Sequence, residues 1–125
     1  MNESKQITSF KDLLVWQRAV IFVTKIYTLT NTFPKTETFS LIDQLRRAAV
    51  SIASNIAEGK QRQTKKEYIQ FLHIAYGSCA EVYTQLIISK NLGYFNEKSL
   101  NNFLDELLVI EKMLSSLIKK LKSLP

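Results

Sequence analysis

The chain has 125 residues, enough for one domain with a buried core, and its three glycines and two prolines leave few positions for turns, which favours long helices. A single cysteine excludes an internal disulfide and fits a reducing compartment. The net charge of +6 favours acidic partners, nucleic acid first, although many small basic proteins bind nothing specific.

The first predicted helix covers residues 11–30. Its apolar residues recur at alternating spacings of three and four, which places one set on a single face: Leu13, Trp16, Val20, Val23 and Tyr27. Pro34 prevents the helix from continuing, because proline lacks an amide hydrogen and clashes with the preceding turn. The segment FPKTETF is therefore a loop.

The second predicted helix covers residues 41–58, with Ser40 as its N-cap and Asp43 near the positive end of its dipole. Gly59 should end this helix in the left-handed conformation, because it has no Cβ to clash. The apolar stripe of the helix is formed by Leu41, Leu45, Ala48, Ile52 and Ile56.

Two longer helices complete the prediction, over residues 64–92 and 97–122. TKKE at residues 64–67 is a capping box that starts the third helix, and Gly93 should end it. The fourth helix should follow Asn96. The third helix carries the stripe Tyr68, Leu72, Ala75, Cys79, Val82 and Leu86, and the fourth carries Leu100, Phe103, Leu107, Ile110, Leu114, Leu117 and Leu121.

Four amphipathic helices with short connections predict an all-α fold, an antiparallel up-down-up-down bundle that forms a single domain over residues 1–125. Apolar residues also lie beside the main stripes of the first and fourth helices. They predict self-association, with a wide bundle face as the alternative. The candidate interface residues are Ile21, Phe22, Leu104 and Leu108.

No arrangement typical of an enzyme is present. His73 is the one histidine, and it shares no one-turn spacing with Cys79, so neither a zinc site nor a Ser-His-Asp triad can be built. No phosphate-binding glycine loop occurs. The sequence therefore predicts a protein without catalytic residues, metal, cofactor or small-molecule substrate. The polar first ten residues and the short apolar runs predict a cytoplasmic protein without membrane contact.

Polar residues form a ribbon on each of the two central helices. Gly77 in a helix interior costs about 1 kcal/mol relative to alanine, which indicates a close helix approach at that position. We expect the ribbons to meet there in a polar layer that fixes the register of the bundle, with Arg47 pairing with Glu81. The proposed layer consists of Arg47, Ser51, Asn55, Glu58, Gly77, Ser78 and Glu81.

Cations concentrate in two segments. The first surrounds the connection between the second and third helices and is the candidate nucleic-acid site: Lys60, Arg62, Lys65 and Lys66. The second lies at the C-terminal end of the fourth helix: Lys119, Lys120 and Lys122. We expect these segments at opposite ends of the bundle, as two separate patches.

Several segments carry a family resemblance. LVWQRA, FPKTE, QLRRAAVSIASNIAEG, the arginine at 62 and FLHIAYGSCAE follow one pattern along residues 10 to about 121. This pattern resembles the 23S rRNA-intervening sequence protein family and the related accessory variability proteins of diversity-generating retroelements. Ala53 stands where the family usually has proline, and Cys79 where it usually has leucine or alanine.

The resemblance implies a bacterial four-helix bundle that assembles as a ring-shaped homopentamer. It also implies binding of nucleic acid, since the retroelement relatives bind nucleic acid and a reverse transcriptase. It brings no catalytic residues. The favoured function is an RNA-binding oligomer that contacts backbone phosphates; the alternative is an adaptor whose pentamer binds a protein partner.

Overall fold

The computed structural model describes residues 9–125, and no β-strand occurs in that range. The four helices are α1 (Leu14–Thr30), α2 (Leu41–Lys60), α3 (Lys65–Asn91) and α4 (Glu97–Ser123). Short 3-10 helices at Phe10–Asp12 and Lys35–Glu37 precede α1 and α2. The all-α prediction is confirmed, although the first helix begins three residues later than predicted because residues 10–12 form a 3-10 turn capped by Ser9.

Each helix packs against the next one along the chain, and α4 returns to α1. Phe22 in α1 and Phe103 in α4 have ring centroids 6.0 Å apart, and Phe33 after α1 lies at the same distance from Phe95, just before α4. The end of α1 therefore meets the start of α4, so these helices are antiparallel. The four helices form the bundle expected from their amphipathic patterns.

The core contains the apolar stripes predicted for α2, α3 and α4, except that Ile42 rather than Leu41 is buried at the start of α2. Leu45, Ile52 and Ile56 of α2 are fully buried, as are Leu72 of α3 and Leu114 of α4. A fully buried aliphatic side chain contributes about 1.5–3 kcal/mol relative to an exposed one. Burial along these three faces is the main physical reason that the helices associate.

The predicted face of the first helix is confirmed only in part: Leu13 is buried, and Trp16 and Val23 pack against the core. Val20 and Tyr27 are exposed, and the core side of the helix is formed instead by Val15, Ala19, Phe22, Ile26 and Thr30. Residues 19–23, AVIFV, are apolar all round the helix, so periodicity alone cannot select the buried side there. Phe22 therefore lies in the core, although the sequence predicted it beside the apolar stripe.

The start of α2 is capped by Glu37 rather than by the side chain of Ser40. The Ser40 side chain makes no capping bond to the helix; its hydroxyl donates to Glu37 Oε1, which also accepts from the Leu41 amide at 3.3 Å. The Tyr94 hydroxyl donates to Glu37 Oε2 at 2.6 Å. One carboxylate thus joins the α1–α2 connection to the α3–α4 connection.

Hydrogen bonds from the Ser40 hydroxyl, the Tyr94 hydroxyl and the Leu41 amide lower the pKa of Glu37. The ionised carboxylate therefore stabilises the fold above its ordinary pKa near 4.5, and this contribution is lost as pH falls through the lowered value. We expect Glu37→Gln to reduce the free energy of unfolding at neutral pH and to converge with the native protein in acid. Denaturant titrations over that pH range measure the difference, with the exposed Glu97→Gln as control. A constant difference at every pH would contradict this role.

Two glycines at helix ends behave differently from each other. Gly93 has φ 82°, and the amides of Gly93 and Tyr94 donate to the carbonyls of Lys90 and Ser89, the pattern of a Schellman motif. Gly59 was also predicted in the left-handed conformation, and this is wrong. It lies inside α2, buried, and a Cβ there would be 2.9 Å from Phe71 Cβ and 3.2 Å from the Tyr68 carbonyl oxygen. Gly59 allows α2 and α3 to approach closely.

Candidate nucleic-acid interface

The two cationic segments lie at the same end of the bundle, which corrects the expectation of separate patches. Because α3 and α4 are antiparallel, α4 finishes where α3 begins. Lys65 at the start of α3 donates from Nζ to the carbonyl of Leu124, one residue beyond α4. We call this end of the molecule the cationic end: Lys60, Arg62, Lys65, Lys66, Lys119, Lys120 and Lys122.

Two of these cations lie over aromatic rings. Lys60 Nζ is 5.8 Å from the centroid of the Tyr68 ring, and the Arg62 guanidinium is 4.6 Å from that of Phe71. Arg62 also pairs with Glu58 at 3.1 Å. These contacts orient the two side chains and reduce the charge that Arg62 offers to a ligand. The other five lysines form no ion pair within residues 9–125 and are exposed.

An open groove runs between α3 and α4 beside these lysines. It has a volume of about 420 Å³ and is lined by His73, Tyr76, Ser115, Ile118, Lys119 and Lys122. His73 is exposed, and it lies with cations and an aromatic ring rather than with other metal-ligating groups. The groove went unnoticed in the sequence because its residues come from helices that are adjacent only after folding.

The predicted polar layer is present only in part. Ser51 Oγ lies 2.8 Å from Ser78 Oγ across the α2–α3 interface, and Asn55 Nδ2 donates to the Ser51 carbonyl at 2.8 Å. The Asn55 amide also reaches Ser51 Oγ at 2.9 Å. Hydrogen bonds thus link Asn55 to Ser51 and Ser51 to Ser78 at a partly buried position. These bonds support a structural role for the three residues.

The charged members of the predicted layer lie outside it. Arg47 pairs with Asp43 at 3.0 Å on its own helix, and Glu58 pairs with Arg62. Glu81 is exposed and lines a groove with Arg47, but the two form no ion pair. In both ion pairs the partners are four residues apart, a spacing that places side chains next to each other, and these local pairs form in place of the expected contact between helices.

Gly77 is not a site of close helix approach within the chain. It is exposed, and a Cβ placed there would have no neighbouring atom within 4 Å. Glycine in a helix interior lowers stability relative to alanine, but this cost did not identify the position where two helices approach closely. Gly59, which the sequence analysis placed at a helix terminus, occupies that position instead.

Arg46 has a structural role that sequence reasoning did not assign. Its Nε donates to Thr30 Oγ1 at 2.8 Å and its terminal nitrogen to Asn31 Oδ1 at 2.9 Å, while the guanidinium lies 4.5 Å from the centroid of the Tyr27 ring. Arg46 therefore binds the C-terminal end of α1, where backbone carbonyls lack partners within the helix. Nothing in the spacing of the two helices indicates this pairing.

The predicted oligomer-interface residues differ in their exposure. Ile21 and Leu108 are 54% and 47% exposed. Phe22 is 1% exposed, because it packs in the core of its own chain against Phe103, so its assignment to an interface is wrong. Leu104 is half-buried and packs against the same core.

Cys79 lies in the core, as predicted. It is fully buried, and burial raises the pKa of its thiol to about 12, with a further contribution from the charge of Glu111. The thiol therefore stays protonated at neutral pH and is a poor nucleophile.

Within residues 9–125, no three histidine, cysteine or acidic side chains lie close enough together to hold a metal ion. In the same range, no helix combines the length and the apolar character needed to cross a membrane.

Comparison with known proteins agrees with the fold. A crystal structure of a protein of unknown function from the S23 ribosomal protein family of Bacteroides thetaiotaomicron superposes with a TM-score of 0.78 at 24% identity, covering 85% of this chain and 96% of that one. No curated protein matches the chain. The family model of the 23S rRNA-intervening sequence protein matches residues 11–116. Since that match spans most of the sequence, the chain belongs to the 23S rRNA-intervening sequence protein family.

Proposed function

We propose that this protein is a non-enzymatic nucleic-acid-binding protein that contacts RNA through backbone phosphates. Two cationic segments that are distant in sequence lie together at one end of the bundle, and this observation supports the proposal most strongly. Lys65 at the start of α3 contacts the chain beyond α4, and Lys119, Lys120 and Lys122 lie in the last turns of α4. Neighbouring cations reinforce one another's attraction for a polyanion.

Two acidic side chains lie near this end, and each has a partner there. Glu58 pairs with Arg62, and Glu67 accepts a hydrogen bond from the Thr64 hydroxyl at 3.1 Å. The exposed lysines remain available to phosphates, and an ammonium group bound to a phosphate does not distinguish one base from another. We therefore expect binding with little sequence specificity that weakens steeply as salt increases.

Replacing Lys60, Arg62, Lys65 and Lys66 with glutamine should weaken binding to an RNA hairpin and flatten its salt dependence. Each phosphate contact contributes about 0.7–0.9 to the slope of the logarithm of affinity against the logarithm of salt concentration. Helical content should change little, because exposed charges contribute about 0–1 kcal/mol each. Fluorescence anisotropy across a salt series measures the slope, and a slope equal to that of the native protein would contradict the proposal.

Asn55→Ala provides the complementary control. It removes the hydrogen bonds to Ser51, so it should reduce the free energy of unfolding by about 0.5–1.5 kcal/mol. It should leave the salt slope of RNA binding unchanged, because Asn55 carries no charge.

We further propose that the protein self-associates. Ile21 and Leu108 expose large apolar surfaces, and α3 adds the exposed Ile74 and Ile88. Exposed apolar surface of this kind is typical of an interface. The family resemblance makes a homopentamer the expected assembly.

Light scattering coupled to gel filtration should give a mass about five times the 14.4 kDa of one chain. Ile21→Glu should lower this mass if α1 contributes to the interface. A monomer mass at micromolar concentration would contradict self-association, and a dimer or trimer would contradict the pentamer alone.

An adaptor function is the second candidate. Phe39 is 95% exposed in the α1–α2 connection, at the end of the bundle away from the cationic end. A phenylalanine so exposed is suited to insertion into a pocket of another protein. If the native protein fails to bind RNA at low salt, this candidate becomes the better one.

A further inference from the structure

The groove between α3 and α4 combines an exposed aromatic ring with cations. On α3, His73 and Tyr76 are three residues apart and share one face; on α4, Ser115, Ile118 and Lys122 share the face opposite them. The volume of about 420 Å³ falls within the roughly 300–1,000 Å³ of small-ligand sites. The groove is therefore wide enough for a group larger than a single side chain.

Two of the six lining residues of the groove are aromatic or apolar. Tyr76 is 44% exposed, so a substantial part of its ring is open to a ligand, while Ile118 is 7% exposed and belongs to the bundle core. A flat ring system could lie against these side chains without displacing core packing. Nucleobases stack on aromatic side chains in this manner, with little dependence on which base is present.

The other four lining residues are cationic or polar. Lys119 and Lys122 line it, and neither forms an ion pair within residues 9–125. His73 and Ser115 add groups able to donate and accept hydrogen bonds. Apolar stacking surface next to unpaired ammonium groups matches the chemistry of a nucleotide, whose flat base is joined to an anionic phosphate.

We propose that this groove binds an unpaired nucleobase, with the base against Tyr76 and the adjoining phosphates on Lys119 and Lys122. The inference rests on the proposed nucleic-acid function and refines it. In a duplex the base faces are covered by their neighbours, so only a single strand, loop or bulge offers a base that can enter. The cationic end then binds any nucleic acid, and the groove adds a preference for unpaired segments.

Fluorescence anisotropy with a single-stranded RNA oligonucleotide and with the blunt duplex of the same sequence tests the proposal. Tyr76→Leu should weaken single-strand binding about tenfold, within a range of roughly 5- to 150-fold, and leave duplex binding unchanged. Tyr83→Leu is the matched control, because Tyr83 is 47% exposed on the same helix but does not line the groove. It should leave binding to both RNAs unchanged.

A second measurement locates the base directly. An oligonucleotide that carries 5-iodouridine should photo-cross-link to the peptide containing Tyr76, and the cross-link should disappear in Tyr76→Leu. Circular dichroism verifies that the variant keeps its helical content, which we expect because Tyr76 is largely outside the core.

The outcomes separate this inference from the broader proposal. If Tyr76→Leu binds the single strand as the native protein does, or loses affinity for single strand and duplex equally, the stacking site is overturned while cation-dependent RNA binding stands. Equal losses in Tyr76→Leu and Tyr83→Leu would likewise overturn it. If the native protein binds neither RNA at low salt, both the groove and the proposed function fail.

Discussion

Gly59→Ala should lower the free energy of unfolding by about 1–2 kcal/mol, whereas Gly77→Ala should raise it by about 0.5–1 kcal/mol. A Cβ at residue 59 would lie 2.9 Å from Phe71 Cβ and 3.2 Å from the Tyr68 carbonyl oxygen. Neither atom can rotate away, so α2 and α3 must move apart. At residue 77 nothing lies within 4 Å, and alanine brings only its better helix propensity.

Denaturant unfolding of both variants at one protein concentration measures the two effects. The same chemical change at two helical glycines should therefore have opposite signs, which isolates packing from helix propensity. Destabilisation by Gly77→Ala together with a lower oligomer mass would place residue 77 in an interface between subunits. Stabilisation by Gly59→Ala would contradict the close approach of α2 to α3 at that position.

Replacing Lys119, Lys120 and Lys122 with glutamine should weaken RNA binding strongly. The effect should equal that of removing the same number of cations from the first cationic segment. The two segments lie at one end of the bundle, so one polyanion can contact both. If all three lysines contact phosphates, the salt slope should fall by about 2–3. Anisotropy with an RNA hairpin across a salt series measures this fall.

The combined variant, with all seven cations replaced, is the stringent test of this geometry. It should retain the helical signal and bind RNA no more tightly than a neutral protein. Normal RNA binding after loss of the three α4 lysines would contradict their membership in the site. These lysines would then serve only to complement the dipole at the C-terminal end of α4.

The sequence predicted the fold well where apolar periodicity was clear. The stripes of α2, α3 and α4 separate apolar from polar positions, and the structure confirms them apart from Leu41. The face of α1 was wrong in part because AVIFV offers apolar side chains in every direction. The buried side of such a helix depends on which neighbour covers it, and a single sequence does not contain that information.

The candidate site was harder to predict because it depends on contacts between distant segments. The sequence identified both groups of cations but placed them at opposite ends, although antiparallel helices bring the start of α3 and the end of α4 together. The capping role of Glu37 and the binding of α1 by Arg46 were missed for a similar reason. Each depends on side-chain reach between elements, whereas spacing along the sequence reports only neighbours on the same helix.

RNA binding depends on where the cations lie rather than on the net charge of the protein. A comparison of two variants with equal net charge tests this most directly. One variant replaces Lys60, Arg62, Lys65 and Lys66 with glutamine; the other replaces Lys25, Lys35, Lys90 and Lys98, which lie toward the other end of the bundle. Both lose the same net charge. The salt slope of RNA binding should fall in the first variant and stay close to native in the second. Equal slopes in the two variants would show that net charge alone drives binding and would contradict a site at the cationic end.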